Sequence, residues 1–159
     1  MKFEELIRAF AEHLTTGVVF TDAALKRPGP VIRYVNPAFC RLTGYAAEEL
    51  VGGDPRRLQG AATQPIVLRS LSRALHEGRR FHGVVSNYRK SGEHYLCEID
   101  IRPIVAIGGE VEGFVAFERE VVRPRGRPRR GDELSRYKAV LPDDPVFAPS
   151  IAGLSPFAP

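Results

Sequence analysis

From Phe81 to Val122 the sequence runs as three segments, FHGVVSNYRK, EHYLCEIDIRPIVA and EVEGFVAFEREVV, parted by Ser91-Gly92 and by Ile107 with Gly108-Gly109. Apolar and polar side chains alternate along each, and the breaks are short and glycine-bearing, so three antiparallel strands joined by tight turns are predicted. Strand alternation fixes which side chains share a face. Phe81, Gly83, Val85 and Asn87 share one, Tyr95, Cys97, Ile99 and Ile101 another, and Phe114, Ala116 and Glu118 a third. With the apolar sets turned inward, Asn87, Cys97 and Glu118 enter the core with them. Unpartnered polar groups in an apolar face are costly. Either these three satisfy one another, or a polar ligand sits among them.

The segments before the meander read as its cover. Phe3, Leu6, Ile7, Phe10 and Leu14 recur at helical spacing opposite Glu4, Glu5, Arg8 and Glu12, which predicts an amphipathic helix closing an open end of the core. GVVFTD (Gly17 to Asp22) and Val31 to Val35 are short β-branched runs, parted by a loop holding Pro28, Gly29 and Pro30. Asn36-Pro37 is an N-cap followed by proline at the first helical position, and Gly44 stops the helix that begins there. A second short helix, AAEELVG, ends at Gly52. Asp54-Pro55 opens another turn, since a carboxylate caps free amides and proline loses nothing at the first position. Thr63 and Pro65 open a longer helix to about His76, with Val67, Leu68, Leu71, Ala74 and Leu75 as its buried stripe.

At 159 residues and 43% apolar, the chain can build one core of ordinary size and carry a tail. Cys40 and Cys97 are far apart and show no ligand spacing, so neither a disulfide framework nor a zinc site is indicated, and a reducing cytoplasmic setting is expected. Acidic residues interrupt the apolar pattern of MKFEELIRAFAEHL, which argues against a signal peptide or a spanning helix, and no membrane association is expected. No nucleophile-base pair, metal spacing or glycine-rich phosphate loop stands out, so enzymatic turnover is not expected.

The string YVNPAFCRLTGYAAEELVG (Tyr34 to Gly52) resembles the PAS segment that joins the second strand to the ligand-pocket helices. VGGDPRRLQG (Val51 to Gly60) is similar to the LOV branch of that family, where the segment reads approximately GxNCRFLQG and its cysteine attacks excited flavin. The resemblance covers roughly residues 18 to 122 and runs without a gap from Gly52 to Glu118. It implies an α+β PAS/LOV fold, a five-stranded antiparallel sheet with helices on one face, holding FMN between them. It also implies a division into an N-terminal helix at 1–16, the PAS/LOV-like domain at 17–122, and an Arg/Pro-rich linker with an irregular C-terminal tail at 123–159.

Carried over residue by residue, the resemblance sets Arg56 where an arginine pairs with the phosphate and Gln59 where a glutamine bonds the flavin side chain. Asn87 stands where an asparagine reads the pyrimidine edge. The departures are Pro55 for the reactive cysteine, Cys97 for the second ring-reading asparagine, and Glu118 for the glutamine beside N5. Asp54 and Arg57 also depart, and Ser72 replaces a second phosphate-pairing arginine, with Arg69 and Arg73 close enough on the same helix to substitute in part. Proline has no nucleophile, so a cysteinyl adduct at Pro55 is excluded. A cysteine-less, photoreceptor-like sensor that switches by photoreduction is one expectation; a degenerate PAS interaction module without flavin is the other.

Beyond the domain, RPRGRPRR (Arg123 to Arg130) places five arginines in eight residues, and its core of Arg125, Gly126, Arg127 and Pro128 resembles the AT-hook. Such a segment suits the narrow minor groove of A·T-rich DNA, and equally suits a solvated basic linker. Five prolines between Pro142 and Pro159 exclude a long helix there. Phe147, Ile151, Leu154 and Phe157 are expected to dock on the outer sheet face beside Val84, Leu96, Val115 and Phe117. That face is the usual dimer surface of PAS proteins, so a homodimer or a partner protein is expected to compete for it.

Overall fold

The computed structural model describes residues 3–126, 133–145 and 155–158. Helix α1 (Phe3–Ala11) leads into β1 (Gly17–Asp22) and β2 (Ile32–Val35), and then α2 (Pro37–Thr43) and α3 (Ala47–Leu50). A 3-10 turn (Pro55–Leu58) and α4 (Pro65–His76) precede the long strands β3 (Phe81–Tyr88), β4 (His94–Val105) and β5 (Val111–Val122). All strand pairs are antiparallel, in the order β2-β1-β5-β4-β3. The three alternating segments thus become the three long strands, paired Val85 to Cys97 and Ile99 to Glu118.

A sixth strand was not foreseen. β6 (Lys138–Ala139) pairs with Val121 and Val122 of β5, on the edge that β1 leaves free because its own pairing stops at Gly17 opposite Glu118. Two residues carry too little pattern to announce a strand. Just beyond, Asp144 accepts hydrogen bonds from the Thr15 and Thr16 amides (2.7 and 2.8 Å) and the Thr15 hydroxyl (2.8 Å), fastening the C-terminal segment to the start of β1.

Side chains of the inner face form two apolar clusters. One joins Ala74 and Leu75 of α4 to Phe81, Val85, Ile99, Ile101 and Phe114, with Val67, Leu68 and Leu71 partly buried against it. The other joins Val19, Ile32 and Val35 to Phe39, Leu50 and Leu58. Asn36 holds this second region together. Its Oδ1 accepts from the amides of Val18 (2.8 Å) and Phe39 (2.9 Å), while Nδ2 donates to the carbonyls of Ala11 and Thr16, both at 2.9 Å. The N-cap expected from the sequence is therefore also a bolt between α1, β1 and α2. Gly44 closes α2 at φ 77, a backbone conformation that favours glycine.

The outer face is covered, too. α1 lays Ile7 and Ala11, with Leu14 just beyond its end, on Val18, Phe20, Tyr34 and Phe117, and Phe157 of the tail packs against the same cluster. This corrects two expectations about α1. It covers the sheet face away from the helices rather than an open end of the core, and its buried stripe omits Leu6 and Phe10, which are about half exposed at 51% and 49%. Alanine at position 11 permits the close approach of helix to sheet that a larger side chain would prevent.

Because the outer face is covered, its polar side chains are buried in ion pairs. Asp100, with no exposed surface, binds Arg80 (2.9 and 2.7 Å) and Arg102 (3.2 and 3.1 Å), and accepts from the amide of Phe157 (2.8 Å). Arg80 and Arg102 then donate to the carbonyls of Ala158 (2.5 Å) and Ser155 (2.9 Å). Glu98 bonds His82 and Arg119, and Arg119 sits 4.1 Å from the centre of the Phe157 ring. The tail docking expected for Phe157 is therefore present, held as much by charge as by apolar contact. Phe147, Ile151 and Leu154 lie outside the described residues.

Candidate functional site

Between α2, the 3-10 turn, α4 and the inner sheet face lies a cavity of ≈ 370 Å³. Val19, Leu68, Leu71, Leu75, Val85, Ile99 and Phe114 make most of its lining apolar, and Gln59, Asn87 and Glu118 are among the polar groups that reach it. At the mouth a second concavity is lined by Arg27, Gly53, Asp54, Arg56, Arg57 and Gln59.

The 3-10 turn is built as its sequence dictates. Asp54 Oδ1 accepts from the Arg56 amide at 2.8 Å, Pro55 takes the first position, and Leu58 drops into the core. Pro55 itself lines the cavity. Arg56 follows on the same wall, but its guanidinium is engaged. It pairs with Asp54 Oδ2 (2.7 Å) and donates to the carbonyls of Gly29 (2.6 Å) and Leu25 (3.4 Å), so it fastens the loop before β2 across the mouth. Arg57 lies 4.7 Å over the Tyr45 ring and donates to the Glu49 carbonyl. Arg27, exposed at the rim, lines both the cavity and its mouth.

α4 supplies Arg69 and Ser72 to the wall, whereas Arg73 is exposed and outside it. Of the two arginines expected near a phosphate, Arg69 lines the cavity and Arg73 does not. Thr63 does not cap α4, as the sequence suggested. Gln64 takes the cap position, and Thr63 accepts from the Gly60 amide (2.9 Å) and donates to the Ser86 carbonyl (2.6 Å), closing the cavity floor against β3.

Three strands meet in a polar wall. Asn87 on β3 pairs in register with Tyr95 on β4, and Cys97, two residues along, donates its thiol to Glu118 Oε2 on β5 at 3.3 Å. Asn87, Cys97 and Glu118 all point inward, as the alternation requires, and two of the three partner each other. Cys97, expected among the ligand-contacting residues, is fully buried behind the wall and is not among the residues that line the cavity. The sequence sets Tyr95 on one face with Cys97, Ile99 and Ile101 and says nothing of its hydroxyl. Its hydroxyl is buried without a hydrogen-bond partner among the described residues; the Asn87 side chain approaches it without reaching bonding geometry. The hint was available, because tyrosine at a core position brings an O–H that must be accounted for.

Burial sets the charge state of this wall. It raises Glu118 to about 7, against a smaller opposing effect from the Cys97 hydrogen bond. It also pushes the Cys97 thiol well above its ordinary range, helped by the nearby Glu118 carboxyl, and raises the Tyr95 hydroxyl as well. A thiol held in its neutral form is not a nucleophile. The wall therefore offers the cavity the Asn87 amide and a Glu118 carboxyl that keeps its proton below about pH 7. Among the described residues no group of three His, Cys, Asp or Glu side chains is placed to hold a metal ion.

The family model for the PAS domain matches residues 17–123. This chain belongs to the PAS family. Among curated proteins it is 32% identical over 142 residues to a nitrogen fixation regulatory protein of Klebsiella oxytoca, covering 89% of this chain and 28% of that one. It is 33% identical over 114 residues to a blue-light-activated histidine kinase of Brucella canis, covering 72% and 23%. The chain thus spans under a third of the length of these relatives. Two solved structures resemble its fold: the RsLOV d2 variant, with TM-score 0.67, 28% identity and coverage of 76% and 68%, and the LOV domain of a blue-light activated histidine kinase from Erythrobacter litoralis. The latter has TM-score 0.63 and 26% identity, and covers 68% of this chain and 97% of that one. The PAS domain here is a sensory domain of the LOV type. No helix among its described residues is long and apolar enough to cross a membrane.

Of the AT-hook-like residues, Arg125 and Gly126 are exposed beyond β5, and Arg127 and Pro128 lie outside the described residues.

Proposed function

We propose that residues 17–122 form a flavin-binding sensory domain that holds FMN in the cavity and responds to light or redox state without a cysteinyl adduct. The segments 1–16 and 123–159 flank it and carry the response outward. The observation that carries this reading is the composition of the cavity: ≈ 370 Å³, mostly apolar, with the Gln59 and Asn87 amides and the Glu118 carboxyl among its polar groups. That size and balance suit a planar, largely apolar ring with one hydrogen-bonding edge.

In this reading Asn87 and Glu118 meet the ring edge, Gln59 meets the ring's side chain, and Arg27 and Arg69 line the approach for the phosphate. When bound, FMN supplies electron acceptance on illumination or reduction. The chain's own residues hold the ring, exclude water from it and offer Glu118 as a proton-carrying group, and with proline at position 55 no protein nucleophile is available there. The domain itself is proposed to turn over no substrate. Its output is association: a second copy or a partner protein meets the outer face where α1 and the tail now lie. A cytoplasmic setting follows from that role.

A second reading, a PAS interaction module without flavin, rests on Arg56, whose guanidinium is already committed to Asp54 and two loop carbonyls. Equilibrium dialysis against FMN separates the two. The wild-type chain is expected to take up FMN with one site per chain, and Asn87→Ala to weaken uptake by about tenfold, the worth of one or two buried hydrogen bonds. No uptake by the wild-type chain favours the interaction module.

A further inference from the structure

The wall carries one group that flavin binding alone does not explain. Glu118 projects from the inner face of β5 into the cavity, 7% exposed, and among the described residues a single group bonds its carboxyl: the Cys97 thiol, at 3.3 Å on Oε2. Among the described residues no cation pairs with it. The titratable groups facing it are Cys97 and Tyr95 of β4, both held neutral by burial. From the other packed elements, β1 presents Val19 and Thr21 and α2 presents Phe39 to the same cavity. α4 contributes Arg69 and His76, and the loops contribute Arg27, Asp54 and Arg56, none of which bonds the carboxyl. A thiol proton gives one weak donor to one oxygen, which leaves the rest of the carboxyl directed at whatever fills the cavity.

We propose that Glu118 meets the ligand as a carboxylic acid, its O–H donated to an acceptor atom on the ring edge, so that loading the cavity is coupled to holding one proton. The inference rests on the flavin reading and adds a chemical requirement to it: the bound edge opposite Glu118 must accept a hydrogen bond. An ionised Glu118 has acceptors only, so the same edge would then face a like partner across a dry cavity.

The direction of the linkage follows from the geometry and is supported by burial, which brings Glu118 to about 7. Below that pH the proton is already in place and affinity is at its plateau. Above it, each loading event must take up a proton, and affinity falls by about tenfold per pH unit. Loading in turn moves the titration of Glu118 upward, because the ligand's acceptor stabilises the protonated form.

FMN titrated into the full chain by fluorescence quenching, from about pH 5.5 to about pH 8.5, tests this. The expected result is a plateau at low pH, a fall above pH 7, and loss of that pH dependence in Glu118→Gln, which keeps a donor and cannot ionise. Infrared difference spectra of the wild-type chain give an independent reading should the variant fail to fold. A protonated-carboxyl carbonyl band that shifts when FMN is added supports the proposal. A flat affinity profile in the wild-type chain, a profile that Glu118→Gln leaves unchanged, or the absence of a protonated-carboxyl band in the loaded protein overturns the proposal and leaves the flavin reading standing. No FMN binding at any pH by either protein overturns both.

Discussion

Asn36→Ala is expected to cost on the order of 4 kcal/mol, enough to unfold a large fraction of a protein of ordinary stability. The side chain has no exposed surface and makes four hydrogen bonds, two as acceptor and two as donor. Alanine leaves the Val18 amide and the Ala11 and Thr16 carbonyls without that partner in a region closed to water, and each such group costs about 1 to 3 kcal/mol. The Phe39 amide suffers least, since it also bonds the Asn36 carbonyl at 3.1 Å. Asn36→Asp keeps the acceptor but loses both donors and sets a carboxyl oxygen against the Ala11 and Thr16 carbonyls in a buried site, so it should cost at least as much as alanine. Urea unfolding followed by circular dichroism reads both variants. A loss under about 1 kcal/mol for alanine would show that the bolt between α1, β1 and α2 is dispensable.

Asp100→Asn is expected to cost about 3 kcal/mol or more, because it removes one partner from a buried charge cluster and leaves Arg80 and Arg102 facing each other. At about 2 to 4 °C per kcal/mol for a chain of this size, the melting point should fall by roughly 10 °C. The C-terminal segment should loosen as well, since the Phe157 amide loses a charged acceptor, and limited proteolysis after the tail prolines would report it. The same residue sets the acid limb. Burial pushes the Asp100 carboxyl up, but the bonds from Arg80, Arg102 and the Phe157 amide outweigh it and hold the group at about 2, below its ordinary 3.8. A depressed carboxyl contributes stability that is present above the ordinary value and lost as pH falls through about 2. That contribution is about 2 kcal/mol.

Glu118 acts with the opposite sign. Its carboxyl is raised from 4.5 to about 7, so the native state holds a proton that the unfolded chain has released, and stability declines as pH rises through that window. The apo protein should therefore be most stable on the acidic side of neutrality, between the two titrations. A group that sacrifices stability at neutral pH while lining a cavity is what a binding site would retain.

Much of this was legible in the sequence because it rested on strong local rules. The period-two alternation from Phe81 to Val122 set the meander and turned Asn87, Cys97 and Glu118 inward. Asn36-Pro37 and Asp54-Pro55 marked two helical starts, and the structure has both. What escaped was decided by distant contacts. The split of the α1 stripe into buried Ile7 and Ala11 and exposed Leu6 and Phe10 depends on which sheet face receives the helix. β6 and the Asp144 clasp exist because β1 ends early and leaves an edge of β5 open. Asp54 beside Arg56 read as a capping carboxylate; that it also neutralises the guanidinium became clear only from the 2.7 Å pairing. Arg27 stood in a proline- and glycine-rich loop, where no periodicity says what a side chain faces, yet the fold carries it to the rim of the cavity.

The central claim is that the cavity holds a flavin that cannot form an adduct. Visible absorption of the full chain, loaded with FMN and recorded before and after blue light, tests it most directly. The expected result is a structured band in the blue with green emission, reversible bleaching only when an electron donor is supplied, and no adduct spectrum, because Pro55 lines the cavity in place of a nucleophile. A protein that stays colourless after loading would contradict it, as would a light-induced adduct spectrum that decays in the dark.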